Sequence, residues 1–180
     1  MLAFLEGTVN VASQYCVLLN FAAFLIAIFA SQSINSFFLS ITVILACNGM
    51  VFWTKDAFSQ LENAWSGDTY AYQAACSSTI MVVYILTIFI LPKLHINQKI
   101  KPGFSADVVV YSSMALAIIH GVYFVLVQVL ELSNLERYYD VLIASINVFV
   151  AVLMLAMPLV MLLWQFSFNR TSKEKLTWNI

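Results

Sequence analysis

Charge is what this chain has least of: 9% of its 180 residues are Asp, Glu, Lys or Arg, against 62% hydrophobic, with a mean hydropathy of +0.90. That balance excludes a water-soluble domain, because there is too little polar surface to cover one. Enzymatic motifs are missing as well. There is no Walker A loop, no HExxH, no GxSxG and no serine with a plausible base near it in the sequence, so a hydrolase or nucleotide-driven machine is not expected. The expected membrane spans carry no Asp, Glu, Lys or Arg in their interiors, which argues against an ion-coupled transporter, a proton pump or a voltage sensor. The apolar stretches also lack the period-2 alternation of a barrel. The N-terminus has no basic residue before its apolar part and no small-residue cleavage pattern, so a cleaved signal peptide is not expected.

What is present is a series of apolar runs separated by short polar breaks, each of about the 20 residues that cross a hydrocarbon core of about 30 Å. The expected fold is an all-α polytopic membrane bundle, a single transmembrane domain with five spans at about 11–30, 34–53, 70–91, 107–130 and 141–166. A variant has four spans with the first segment peripheral. Pro92 is expected to stop the third span, and Pro158 can kink the fifth. Phe58, Leu61 and Trp65 recur at helical spacing between charges, predicting a short interfacial helix over about 56–66.

Orientation follows from the basic residues, since short loops rich in Lys and Arg stay in the cytoplasm. Lys93, Lys99, Lys101, Arg170, Lys173 and Lys175 fall on one side of a five-span arrangement, and only Lys55 and Arg137 on the other. The N-terminus is therefore expected outside, with 167–180 a basic cytoplasmic tail, in what reads as a bacterial inner (plasma) membrane. Lys93, Lys99 and Lys101 serve as orientation determinants and can also contact anionic lipid or an acidic cytoplasmic partner. Nucleic acid is not an expected partner. The NRT triplet at 169–171 falls on the cytoplasmic side and reads as chance.

Depths assigned at about 1.5 Å of rise per residue sort the polar side chains into layers. Asn48, Gln128 and Asn147 fall in the outer half, with His120 and Asn20 deeper, near the midplane. His120 is the one ionisable group deep in the bilayer, a site by default for a haem, metal, quinone or proton. The plainer reading is an interhelical hydrogen bond to a carbonyl, to Asn20 or to Asn147. His95, placed at the inner boundary, lies well over about 15 Å away along the normal, so one chain cannot hold a haem between its two histidines. Ser113, Ala117 and Gly121 form a small-xxx-small ladder on the same stripe as His120, the pattern that lets membrane helices approach closely. Cys16, Cys47 and Cys76 share a depth but have no metal-site spacing, and read as small hydrophobes, with no metal expected.

These features predict a small integral membrane subunit that packs within a larger complex, beside other subunits or copies of itself, structural or accessory and not catalytic. A homo-oligomeric channel or pore-forming effector, lined by the polar stripe of the fourth span, is the alternative. A redox anchor holding haem or quinone through His120 is a weaker one; otherwise no cofactor is expected.

Overall fold

The computed structural model describes residues 15–28, 35–62, 69–129 and 136–168, and every element in them is helical. They are α1 (Tyr15–Ile28), α2 (Ser36–Glu62), α3 (Thr69–Gln98), α4 (Phe104–Tyr123) continuing into a π-helical segment (Phe124–Val129), and α5 (Glu136–Phe168). Among the described residues, four helices are long and apolar enough to cross a membrane. Their spanning stretches of 26, 26, 23 and 23 residues lie within α2, α3, α4 with its π-helical extension, and α5. At 1.5 Å per residue the shortest of these reaches about 34 Å, more than a hydrocarbon core requires. α1 is apolar but shorter.

Short links make sequential helices antiparallel, and side-chain pairs fix the arrangement. The start of α2 meets the end of α3 and the start of α4, through Ser36 with His95 and Ser40 with Ser105. The end of α4 meets the beginnings of α3 and α5, through His120 with Ser77 and Tyr139. The bundle thus has a Gln98 end and a Glu62 end. The core divides accordingly. Ala23, Ala27, Ile41, Leu91, Val109 and Met154 pack in one cluster, and Cys47, Ile80, Val83, Tyr84, Leu116 and Ala117 in a second, nearer the Glu62 end. Large apolar side chains such as Trp53, Phe89, Tyr111 and Phe149 face outward, as a bundle solvated by lipid requires.

Three boundaries differ from expectation. Pro92 does not end α3, which continues to Gln98 with Pro92 inside it. A proline costs a helix one backbone donor but need not stop it where packing holds the next turn, and His95 supplies that packing. The separate interfacial helix over 56–66 is, as far as Glu62, the tail of α2 instead. No glycine or proline interrupts 50–62, and Gln60 donates to Asp56 one turn back at 3.0 Å, so nothing breaks the helix as it turns polar. Trp65 lies outside the described residues, as do 169–180 of the proposed tail with its NRT triplet, while 167–168 close α5. The fourth span also begins earlier, at Phe104, which moves its midpoint toward its start. Along the helix, His120 lies about 8 Å from the midpoint of Phe104–Leu126, toward the Glu62 end.

The helix ends are built locally. Asn35 caps α2 by accepting the Phe38 N–H at 2.8 Å. α3 closes with the Ile100 N–H on the His95 carbonyl and the Lys99 N–H on that of Ile96, a Schellman arrangement with Lys99 at φ 54°.

Candidate functional site

Among the described residues, three assemblies of interior polar groups stand out. The first surrounds His120, which is 4% exposed on the buried face of α4. Its Nδ1 lies 2.6 Å from Tyr139 Oη and 3.3 Å from Ser77 Oγ, and Ser77 Oγ is also 3.5 Å from the His120 carbonyl. A carbonyl can only accept, so Ser77 donates to the His120 carbonyl, while the tautomer of the imidazole decides whether Nδ1 gives or takes the proton it shares with the Tyr139 hydroxyl. Tyr139 meets the imidazole edge-on at 5.4 Å and stacks on Tyr123 at 3.8 Å, while Tyr84 lies tilted at 5.6 Å. One histidine therefore ties α3, α4 and α5. Its partners are Ser77 and Tyr139, not Asn20 or Asn147 as expected. The chain continues from Tyr123 directly into π-helix, with the Phe124 N–H directed at the carbonyls of His120 and Gly121. Such widened turns arise from an extra residue in the helical repeat, which hydropathy does not register.

Gly121, one residue from the histidine, faces Met81 of α3. A Cβ there would stand 3.4 Å from Met81 Sδ. Ser113 and Ala117, on the same stripe, are 5% and 8% exposed, so the small-residue ladder is spent inside the chain's own bundle.

The second assembly was not anticipated. His95, expected at the boundary, is 1% exposed. Its Nδ1–H donates to the Leu91 carbonyl at 2.9 Å, which leaves Nε2 to accept the Ser36 hydroxyl at 2.9 Å. Ser36 Oγ in turn accepts the Gly103 N–H at 2.8 Å, so this hydroxyl joins α2, α3 and the start of α4. Ser40, one turn along, donates to the Ser36 carbonyl at 2.7 Å and lies 3.3 Å from the Ser105 hydroxyl. Two residues in the sequence pointed to it: Ser36 and Ser40 stand one turn apart on α2, a polar strip at the head of an apolar helix.

The third assembly is a cavity of about 760 Å3, lined by all five helices. It joins three of the amides expected to share a site, Asn20 from α1, Asn48 from α2 and Asn147 from α5, and Ser113 of the ladder reaches it too. Cys16 and Cys47 line it, while Cys76 lies beside the second core cluster, and none of the three forms a disulfide. Asn20 is 2% exposed, and its Oδ1 has no hydrogen-bond partner. Lys55 and Asp140, both exposed, mark the Glu62 side of the cavity. Gln128 falls in the π-helical segment, with its side chain outside the described residues. Lys93, Lys99 and Lys101 are all exposed and gather at the Gln98 end. No group of three or more His, Cys, Asp or Glu suited to a metal occurs among the described residues. Comparison with protein-family models, with curated proteins and with solved structures finds no match to the chain.

Proposed function

We propose that the chain is a small integral membrane subunit, structural or accessory and not catalytic, that packs through its apolar exterior within a larger membrane complex. The observation that carries this reading is how the two histidines are used. Each is buried and committed to hydrogen bonds between helices, His120 through Tyr139 and Ser77 and His95 through Ser36. Groups so engaged fasten a bundle; they are not poised to exchange protons or bind substrate. Against the channel alternative stands the burial of Ser113, Ala117 and His120 within one chain, since a stripe already packed against its own helices is not free to line a path between copies.

The proposed orientation follows the basic residues. Lys93, Lys99 and Lys101 lie at the Gln98 end, the end toward which α5 leads the basic tail, so that end is assigned to the cytoplasm. A phosphatase reporter fused after Ile180 is expected to be silent and a fluorescent one bright; the reverse pattern overturns the assignment. The subunit reading is tested by purifying the chain in mild detergent and determining native mass and composition. An assembly well above 20.2 kDa containing an unlike membrane protein at fixed molar ratio is expected. A lone chain, or a ring of copies that conducts ions in liposomes, contradicts it.

A further inference from the structure

We infer that the cavity lined by all five helices binds a small, neutral, mainly apolar molecule that presents a hydrogen-bond acceptor, a carbonyl oxygen, to the hydroxyls of Tyr84 and Ser113. The cavity's volume of about 760 Å3 lies in the range of sites for small organic ligands. Its wall is largely apolar, with Ile44, Leu116 and Ile143 among its members. Its only charged members, Lys55 and Asp140, are exposed and lie toward the Glu62 side. A charged ligand drawn past them would give up its hydration with no opposite charge to meet, so the buried part of the occupant is neutral.

The kind of neutral group follows from which buried hydroxyls are left over. Ser40 and Thr87 donate to carbonyls one turn back in their own helices, and Ser36 and Ser77 meet the two histidines. Ser113 and Tyr84, 5% and 4% exposed, make no hydrogen bond among the described residues, and both stand on the wall of this one cavity. For Ser113 the usual outlet, the Val109 carbonyl one turn back, already accepts the Ser112 hydroxyl at 3.1 Å. Tyr84 is engaged through its ring, which lies beside His120. Asn20 Oδ1 is unbonded too, but it is sealed within the packing and has almost no surface open to an occupant.

Each of the two hydroxyls has a proton to give, and a buried donor left unmet is costly. An alkane cannot take it. A carbonyl oxygen can, and it adds no donor of its own to a wall that already has unmet ones; an alcohol accepts as well but brings another. A lipid ester drawn from the bilayer and a ketone arriving from water share this chemistry.

The test uses the full chain in nanodiscs of ether-linked phosphatidylcholine, which has no carbonyl, with 2-undecanone isotope-labelled at its carbonyl carbon as the probe. Saturable binding is expected, with the bound carbonyl stretch at lower frequency than in protein-free nanodiscs, as accepting a hydrogen bond requires. Undecane should not displace the ketone, and 1-undecanol should bind no more tightly than it. Tyr84→Phe, which keeps the ring beside His120, and Ser113→Ala should each weaken binding about fivefold and reverse part of the frequency shift. Ile143→Trp, which fills the space from another helix, should abolish binding in protein that still unfolds cooperatively. In ester-linked phosphatidylcholine, suppressed ketone binding identifies the bilayer lipid as the source and undiminished binding identifies a water-borne one; both support the site. The proposal is overturned by undecane competing as well as the ketone, by the alcohol binding more tightly, by a bound carbonyl at its lipid frequency, or by binding that Tyr84→Phe and Ser113→Ala together leave intact. Absence of saturable binding also overturns it and leaves the two hydroxyls to water.

Discussion

Ser36 and Tyr139 do comparable work at opposite ends of the bundle, yet they should differ in cost when removed. Tyr139 holds one ring nitrogen, and Tyr139→Phe keeps the aromatic stack on Tyr123 while deleting one bond between helices. Bonds of this kind in membrane bundles contribute about 0.6 to 1.7 kcal/mol, so a loss of roughly 1 kcal/mol is expected. Ser36→Ala strands two partners, His95 Nε2 and the Gly103 N–H. Each buried group left unmet costs about 1 to 3 kcal/mol, so Ser36→Ala should be the more damaging by at least about 1 kcal/mol. Unfolding in mixed detergent micelles ranks the two, and equal costs would mean that Ser36 is not the junction described. Gly121 offers a further contrast. Its Ala variant meets Met81 at ordinary contact distance and gains helix propensity, so it should be neutral or stabilising by under about 1 kcal/mol. Gly121→Leu must push α3 away and should cost roughly 1 to 3 kcal/mol in the same assay.

At the scale of the helix, the ends carry the information that hydropathy leaves out. Lys99 holds the left-handed position that closes α3, where an L-residue pays about 1 to 2 kcal/mol relative to right-handed backbone. Lys99→Gly removes that strain and adds about 0.5 to 1 kcal/mol of chain entropy to be lost on folding. A net stabilisation of about 0.5 kcal/mol or more is expected from the unfolding midpoint, and a lower midpoint would contradict the Schellman geometry. The positions of the long spans were legible because runs of apolar residues declare themselves by length alone. The bounds were less so. Pro92 was read as a stop because its local cost is large, but the turn beyond it is held through His95 by Ser36 of α2, and no local pattern reveals that. The stretch over about 56–66 was read as a separate interfacial helix because Phe58, Leu61 and Trp65 recur there between charges. Polarity marks where a helix leaves the lipid, not where it ends.

At the scale of the molecule, depth proved a good guide to company and a poor one to bonding. Counting residues from the span ends put Asn48 and Asn147 in one layer, and the bundle brings both to one cavity with Asn20. The same counting named His120 as the buried ionisable residue but missed its partners. Tyr139 follows an acidic stretch of sequence after the fourth span, and only the folding back of α5 carries it to the imidazole. Which faces meet depends on helix rotation and on the π-helical turn after Tyr123, neither of which a composition profile contains.

The central claim is that the interior histidines fasten helices and do no chemistry, and His120→Ala in the native assembly tests it most directly. Unfolding stability, visible absorbance and assembly mass are to be measured together on that variant and on the parent. The account predicts a loss of about 1 kcal/mol or somewhat more in stability, as the bond to Tyr139 goes, with absorbance and assembly mass unchanged. An unchanged stability accompanied by the loss of a cofactor band or of electron-transfer activity would contradict it.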